Sequence, residues 1–348
     1  MDLSELDYPL PRSSIAQAPA EARDGSRLLV IDRTARRLTD HRFTDLPSLL
    51  RAGDCLVVND SRVLPARVLA RDAGERPVEL LFVEPARDRD GERPPWRALV
   101  RPGRRCRPGV ELRAGDEGAR FRIVAVEPDG LRLVERLDGD VLEALERHGV
   151  PPLPPYIAHH VKPGGEDRER YQTIYAGPGG SVAAPTAGLH FTEGLLDRLR
   201  DRGVELHRLT LHVGPATFRP ITTARVEDHV LPGERVTIPD VVARAVTAAR
   251  AEGRRVVAVG TTTVRALESA AQVDGRVRGM DGRADVFVVP GYRFRVVDAL
   301  LTNFHLPRSS LLALVAAFGD LPLVLDAYRH AVAAGYRFYS YGDATLFV

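Results

Sequence analysis

The chain alternates short apolar strands with helices, and that alternation is broken only between about Arg67 and Leu153. The runs Leu28 to Ile31, Cys55 to Val58 and Val256 to Val259 read as buried strands, with further candidates at Val286 to Val289 and Ala344 to Val348. Between them, helices announce their ends. A short one is expected from about Pro47 to Arg51. Thr192 can cap the segment Glu193 to Arg202 that Gly203 closes, and Ser309 can cap Ser310 to Phe318. Pro239-Asp240 opens a helix with Val241, Val242, Ala245, Val246 and Ala249 on one face, and Gly253 ends it. The interruption holds Val78 to Val83, Trp96 to Val100, Val110 to Leu112, Phe121 to Val126 and Leu131 to Glu135, split by Gly and Pro, as in a small barrel or sandwich.

These signals predict an α/β fold: a mixed-sheet main domain interrupted by a small β-barrel insertion domain. The main domain is expected to be discontinuous, residues 1–66 and 154–348, with the insertion at 67–153 and Pro151-Pro152-Leu153-Pro154-Pro155 as the return linker. A length of 348 residues exceeds what one hydrophobic core usually serves, which agrees with two domains.

Composition narrows the function classes. No apolar run reaches the roughly 20 residues that span a bilayer, and Met1-Asp2-Leu3-Ser4-Glu5 is acidic where a signal peptide is basic, so a cytoplasmic protein with no membrane partner is expected. Cys55 and Cys106 lack CxxC partners, which argues against a zinc module or redox pair. The net charge is only +2, so any nucleic-acid contact must come from a local patch. The densest basic cluster, Arg101-Pro102-Gly103-Arg104-Arg105-Cys106-Arg107, reads either as a phosphate-holding turn, with Arg104 and Arg105 as its contacts, or as a solvated loop.

Six apolar runs end in clusters of hydroxyl, amide, Arg or His residues: Asn59 to Arg62, Thr186 to His190, Leu211 to Phe218, Thr261 to Arg265, Leu301 to Pro307 and Tyr339 to Asp343. Any one of them is equally a tight turn. Six of them argue for a binding surface, because a purely structural loop does not need arginine, histidine and amide together. The stretch Gly180 to Thr192 is central, since its small residues let a ligand approach the backbone just before a helix N-terminus. No GxGxxG, Walker, GxSxG or HExxH motif is present, which withdraws support from nicotinamide, ATPase, hydrolase-elbow and common zinc-peptidase chemistry. His190, His212 and His305 each sit among small or apolar residues, either as core histidines or as site residues.

The ordered series Asp7-Tyr8-Pro9-Leu10-Pro11, Asn59-Asp60-Ser61-Arg62-Val63, Tyr171 to Ala176, Ser181 to Thr192, His212-Val213-Gly214 with Thr217-Phe218, Gly260 to Ser269, Thr302 to Pro307 and Tyr336 to Asp343 resembles the S-adenosylmethionine:tRNA ribosyltransferase-isomerase family of queuosine biosynthesis over nearly the whole chain. The resemblance implies that the ribosyl part of S-adenosylmethionine is transferred to 7-aminomethyl-7-deazaguanine at the wobble position of tRNA and isomerised to an epoxy-cyclopentanediol, with adenine and methionine leaving. It implies S-adenosylmethionine as co-substrate, precursor-bearing tRNA as partner, no metal or tightly bound cofactor, and a monomer or homodimer.

Within that picture His190 and His305 are candidates for proton transfer, and Asp60 and Arg62 for contacts to the acceptor or ribose. Thr186 and Arg265 are candidates for the methionine carboxylate; Asn303, Tyr341 and Asp343 for adenosine; and Asn59, His212, Thr217 and Thr262 for further substrate contacts. The chain departs from the family pattern at Leu231-Pro232-Gly233, where Met-His-Ser is expected, and at Ala216, Ser61 and His159. Pro232 removes a polar side chain. It is the sequence support for an alternative, a same-fold paralogue using another acceptor; a non-catalytic RNA-binding protein is the other alternative.

Overall fold

The computed structural model describes residues 1–86, 94–115, 118–160, 164–215 and 220–348. The chain forms two compact units: Met1–Ser61, Gln172–Pro178 and Ala184–Val348 make the larger, and Arg62–Tyr171 with Gly179–Ala183 the smaller.

The larger unit is built on a nine-stranded mixed sheet in the order Met280–Ala284, Glu234–Ile238, Glu205–Leu211, Cys55–Asn59, Val256–Val259, Ala299–Asn303, Ala344–Phe347, Arg27–Asp32 and Arg37–Arg42. Its centre is four parallel strands, Glu205–Leu211, Cys55–Asn59, Val256–Val259 and Ala299–Asn303. Both faces of three of these strands are covered: all residues of Cys55–Asn59, Val256–Val259 and Ala299–Asn303 are buried. That is why they read as unbroken apolar runs rather than alternating ones. One face carries Leu56, Val58, Val257, Val259 and Leu301 against Leu195, Leu196 and Leu199 of the helix Glu193–Asp201. Thr192 Oγ1 accepts from the Leu195 amide at 3.2 Å, and Gly203, at φ 81°, lets the chain leave the helix. Ser309 caps Ser310–Gly319 in the same way, its Oγ accepting from the Leu312 amide at 3.2 Å.

The smaller unit is a closed antiparallel barrel of six strands: Arg67–Arg71, Pro77–Pro85, Trp96–Arg101, Arg132–Arg136, Ala119–Val126 and Glu111–Ala114. Closure comes from Ala70 opposite Ala114 and Arg71 opposite Arg113. Inward positions alternate along each strand and fill the interior with Val68, Val78, Leu80, Phe82, Ala98, Leu112, Phe121 and Ile123. The helix Val141–His148 adds Val141, Ala144 and Leu145 to that core. Pro151 to Pro154 is buried, and Arg67 Nη2 donates to the Leu153 carbonyl at 3.1 Å, so the proline run packs into this unit instead of acting as a free linker.

Three further expectations change. The apolar run Val286 to Val289 forms no strand; the Val286 carbonyl accepts from Arg265 Nε at 3.2 Å, and the edge strand is Met280–Ala284, where the residues are not β-formers. The first short helix is Leu46–Leu49. The helix Val141–His148 lies inside a section that read as β throughout. Among the described residues no single helix is long and apolar enough to cross a membrane.

Phe121 is fully buried at the centre of the barrel. Phe121→Ala is expected to cost about 3–5 kcal/mol, seen as a lower urea midpoint of the barrel unit by far-ultraviolet circular dichroism.

Candidate active site

Parallel strands end on the same edge of a sheet, and here that edge collects the polar clusters. Leu209 lies opposite Asn59, Val58 opposite Val259, and Val259 opposite Leu301, so the loops at His212, Asp60, Gly260 and Phe304 leave side by side. Ala344 pairs with Asn303 on one side and Leu28 on the other, which brings Tyr339–Asp343 and Arg23–Ser26 to the same edge. Open α/β sheets bind ligands at the carboxyl ends of their strands.

The 3₁₀ turn Thr186–His190 joins this edge through its histidine. Asn303 Nδ2 lies 3.2 Å from His190 Nε2 and 3.2 Å from the Tyr339 carbonyl, so its two hydrogens serve two acceptors. His190 also hydrogen-bonds the Arg23 backbone and stacks at 4.9 Å on Phe43. Burial pushes its pKa down to about 4, so the ring is neutral at pH 7. Arg23 Nη1 pins the same turn by donating to the carbonyls of Gln172 and Leu189. Gly188 is required here, since a Cβ would lie 2.3 Å from Tyr175 Oη. Among the described residues Asn303 Oδ1 is buried without a hydrogen-bond partner. Beside it Tyr339 holds φ 74°, a costly conformation for a tyrosine.

His305 is also buried, with Nε2 3.0 Å from Thr302 Oγ1 and its amide bonded to Tyr328 Oη at 3.1 Å. Burial lowers its pKa to about 3. Two strands away Asn59 is saturated: Nδ2 donates to the Leu211 carbonyl at 2.9 Å and Thr262 Oγ1 at 3.3 Å, while Oδ1 accepts from the amides of Ser61 and Leu211. Asp60 is less bound. Thr210 Oγ1 donates to its Oδ1 at 2.6 Å, no other described residue donates to Oδ2, and burial raises its pKa. Thr186 and His212 are half-buried, and His212 Nδ1 has no partner among the described residues.

Other predicted residues are placed differently. Arg265 is buried and forms an ion pair with Glu234, and it also donates to the carbonyls of Val286 and Ala284, so its guanidinium is spent inside the protein. The second Glu234 oxygen accepts from the Gly214 amide at 2.8 Å, which ties the His212 loop to the same pair. Asp343 accepts from the amides of Arg27 and Arg337 at 2.9 and 2.8 Å; it fastens the turn, and burial raises its pKa. The Tyr341 carbonyl accepts from Arg337 at 2.7 Å, with the side chain buried. Arg62 is exposed and belongs to the smaller unit. Thr217 lies outside the described residues. Among the described residues no group of three His, Cys, Asp or Glu could hold a metal.

Sequence reasoning missed Glu234 and Phe43; it marked the stretch Tyr336 to Asp343 but gave Tyr339 and Arg337 no role, and it gave Arg23 none. Nothing local marks Glu234, which stands in an ordinary strand between Met280–Ala284 and Glu205–Leu211, with its partner 31 residues away.

Comparison with known proteins matches residues 3–347 to the family described as queuosine biosynthesis protein. A protein of Thermus thermophilus, named S-adenosylmethionine:tRNA ribosyltransferase-isomerase, is 52% identical over 354 residues covering 99% of each chain. One of that name from Moorella thermoacetica is 48% identical, again over 99% of each. The crystal structure of a Thermotoga maritima S-adenosylmethionine tRNA ribosyltransferase is similar at 36% identity and TM-score 0.56, covering 99% of this chain and 100% of that one. The chain is thus an enzyme of the transferase-isomerase class. It belongs to the queuosine biosynthesis protein family.

Two depressed histidine pKa values make stability depend on pH. In the unfolded chain each imidazole titrates near ~6.5; folded, these titrate at about 4 and about 3. Their stabilisation is full above the unfolded value and is lost as pH falls from there through about 4 and then about 3. The urea midpoint should fall over that window, and His305→Gln should flatten the fall; identical profiles for variant and wild type would contradict the assignment.

Proposed function

We propose that the enzyme transfers the ribosyl part of S-adenosylmethionine to the aminomethyl group of 7-aminomethyl-7-deazaguanine at the tRNA wobble position, isomerises it to the epoxy-cyclopentanediol, and releases adenine and methionine. The observation that carries this reading is the convergence of His212, Asp60, Thr262, Asn303, His305, the Thr186–His190 turn and the Tyr339–Asp343 turn on one sheet edge, in a chain related over its whole length to proteins of that name.

Three demands follow from the chemistry. The sulfonium acidifies the adjacent 5′ carbon, so a base must take one proton there; the attacking amine must be neutral; and departing adenine must gain a proton. Asp60 fits the first demand best. No other described residue donates to its Oδ2, and burial raises its proton affinity. His190 is less suited to moving protons, because both ring nitrogens are engaged and its pKa is about 4. It fits a positioning role, holding Asn303 so that Oδ1 accepts from a ligand N–H. An uncharged donor such as the adenine exocyclic amine suits that buried acceptor, since a charged one would carry a large desolvation cost. His305 is held by Thr302 as a neutral ring. Thr186, Thr262 and His212 remain available for the methionine and ribose groups, whereas the ion pair of Arg265 suits it to supporting the His212 loop.

The paralogue alternative rests on Pro232, which is exposed in the loop before Glu234. Incubation with S-adenosylmethionine and either unmodified or precursor-bearing tRNA separates the readings. Adenine release only with precursor-bearing tRNA is expected; release with a different acceptor supports the paralogue, and binding without release a non-catalytic protein. In the same assay Asp60→Asn should lower kcat about 10²–10⁴-fold with KM nearly unchanged, while His190→Gln should mainly raise KM for S-adenosylmethionine. The reverse pattern would exchange the two roles.

A further inference from the structure

Arginine is nearly the only cation in this chain, Lys162 being the sole lysine, and on the barrel most arginines are neutralised locally. Arg71 and Arg113 face Glu75, Arg76 faces Asp72, Arg97 lies between Glu84 and Glu127, and Arg120 and Arg122 share Glu111. The turn that follows the strand Trp96–Arg101 is different. Arg101, Arg104 and Arg107 are exposed, and none of their side chains forms an ion pair or hydrogen bond among the described residues.

The turn itself is well held. Arg105 folds inward, its Nη2 donating to the Pro77 carbonyl at 3.0 Å, so it is a strut and not one of the outward charges. Arg132 clamps the turn from beneath, donating to the carbonyls of Gly103 at 3.0 Å and Cys106 at 3.4 Å, and Cys106 is buried in the barrel core. Three cations with no ion pair among the described residues are therefore presented at a strand end and the supported turn after it, on a surface that mostly cancels its charge. Holding like charges together without counter-charges is unfavourable, and a polyanion relieves it.

We propose that Arg101, Arg104 and Arg107 form a contact for the phosphate backbone of RNA on the barrel unit, separate from the residues that bind S-adenosylmethionine. The inference rests on the reading that the substrate is a tRNA. The contact reads charge and not sequence, because guanidiniums on a turn meet phosphates whatever bases they join. It supplies affinity and leaves the chemistry to the sheet edge of the larger unit.

The test is tRNA binding by the full chain, followed by fluorescence anisotropy across a salt series. Each phosphate contact adds roughly 0.7–0.9 to the slope of log K against log salt. R101Q/R104Q/R107Q is expected to weaken binding at least tenfold at low salt and to reduce that slope by about 2. R101K/R104K/R107K should keep most of it, and R113Q/R120Q, which removes paired arginines, should leave it unchanged. In turnover the glutamine variant should raise KM for tRNA with kcat at saturation intact. An unchanged slope in the glutamine variant, with wild type binding tRNA normally, overturns the inference and leaves the proposed reaction standing. Failure of wild type to bind tRNA at any salt overturns both.

Discussion

The parallel register of Glu205–Leu211, Cys55–Asn59, Val256–Val259 and Ala299–Asn303 is the constraint on which the larger unit depends. Strand direction alone sends four loops out of one edge, and antiparallel Ala344–Phe347 delivers a fifth by starting where Ala299–Asn303 ends. Slipping Ala299–Asn303 by one residue would turn Asn303 to the other face and separate it from His190. The apolar covering of both faces fixes that register, so the packing that stabilises the sheet also sets the geometry of its edge.

Burial at that edge has two effects. It makes unpaired polar atoms expensive, so most of them are bound: Asn59 uses four hydrogen bonds, Arg265 has Glu234 and two carbonyls, and Asp343 has two amides. It also makes the exceptions informative. Among the described residues, buried Asn303 Oδ1, beside the strained Tyr339, has no partner, and half-buried Asp60 has no donor from another residue at Oδ2. A polar group left unsatisfied in a buried place costs free energy, which is what makes these atoms candidates for ligand contacts.

Elements governed by local chemistry were legible in the sequence. Thr192 and Ser309 announce their helices through a side-chain oxygen that accepts an orphan amide, and Val256–Val259 is recognisable because no polar residue interrupts a strand buried on both sides. Val286 to Val289 misled because β-branched residues favour strands only where a partner strand is available. The helix Val141–His148 was hidden by its β-rich neighbours, although Asp140 caps it, its Oδ1 accepting from the Leu142 amide at 2.7 Å. Among candidate site residues, the sequence marked loops that the structure gathers at one sheet edge, because hydroxyl, amide and imidazole groups cluster there. It could not separate side chains that face a ligand from those that hold the loops. That distinction is set by partners distant in the chain, Glu234 for Arg265 and Arg27 for Asp343, and no spacing rule reports it.

On the proposed reading S-adenosylmethionine binds at the carboxyl edge of the four parallel strands. Hydrogen exchange of the full chain with and without S-adenosylmethionine is the test. Slower exchange is expected at residues 186–190, 301–305 and 339–343, with no change at 119–126 of the barrel. Protection confined to the barrel, or to the opposite ends of the same strands, would contradict it.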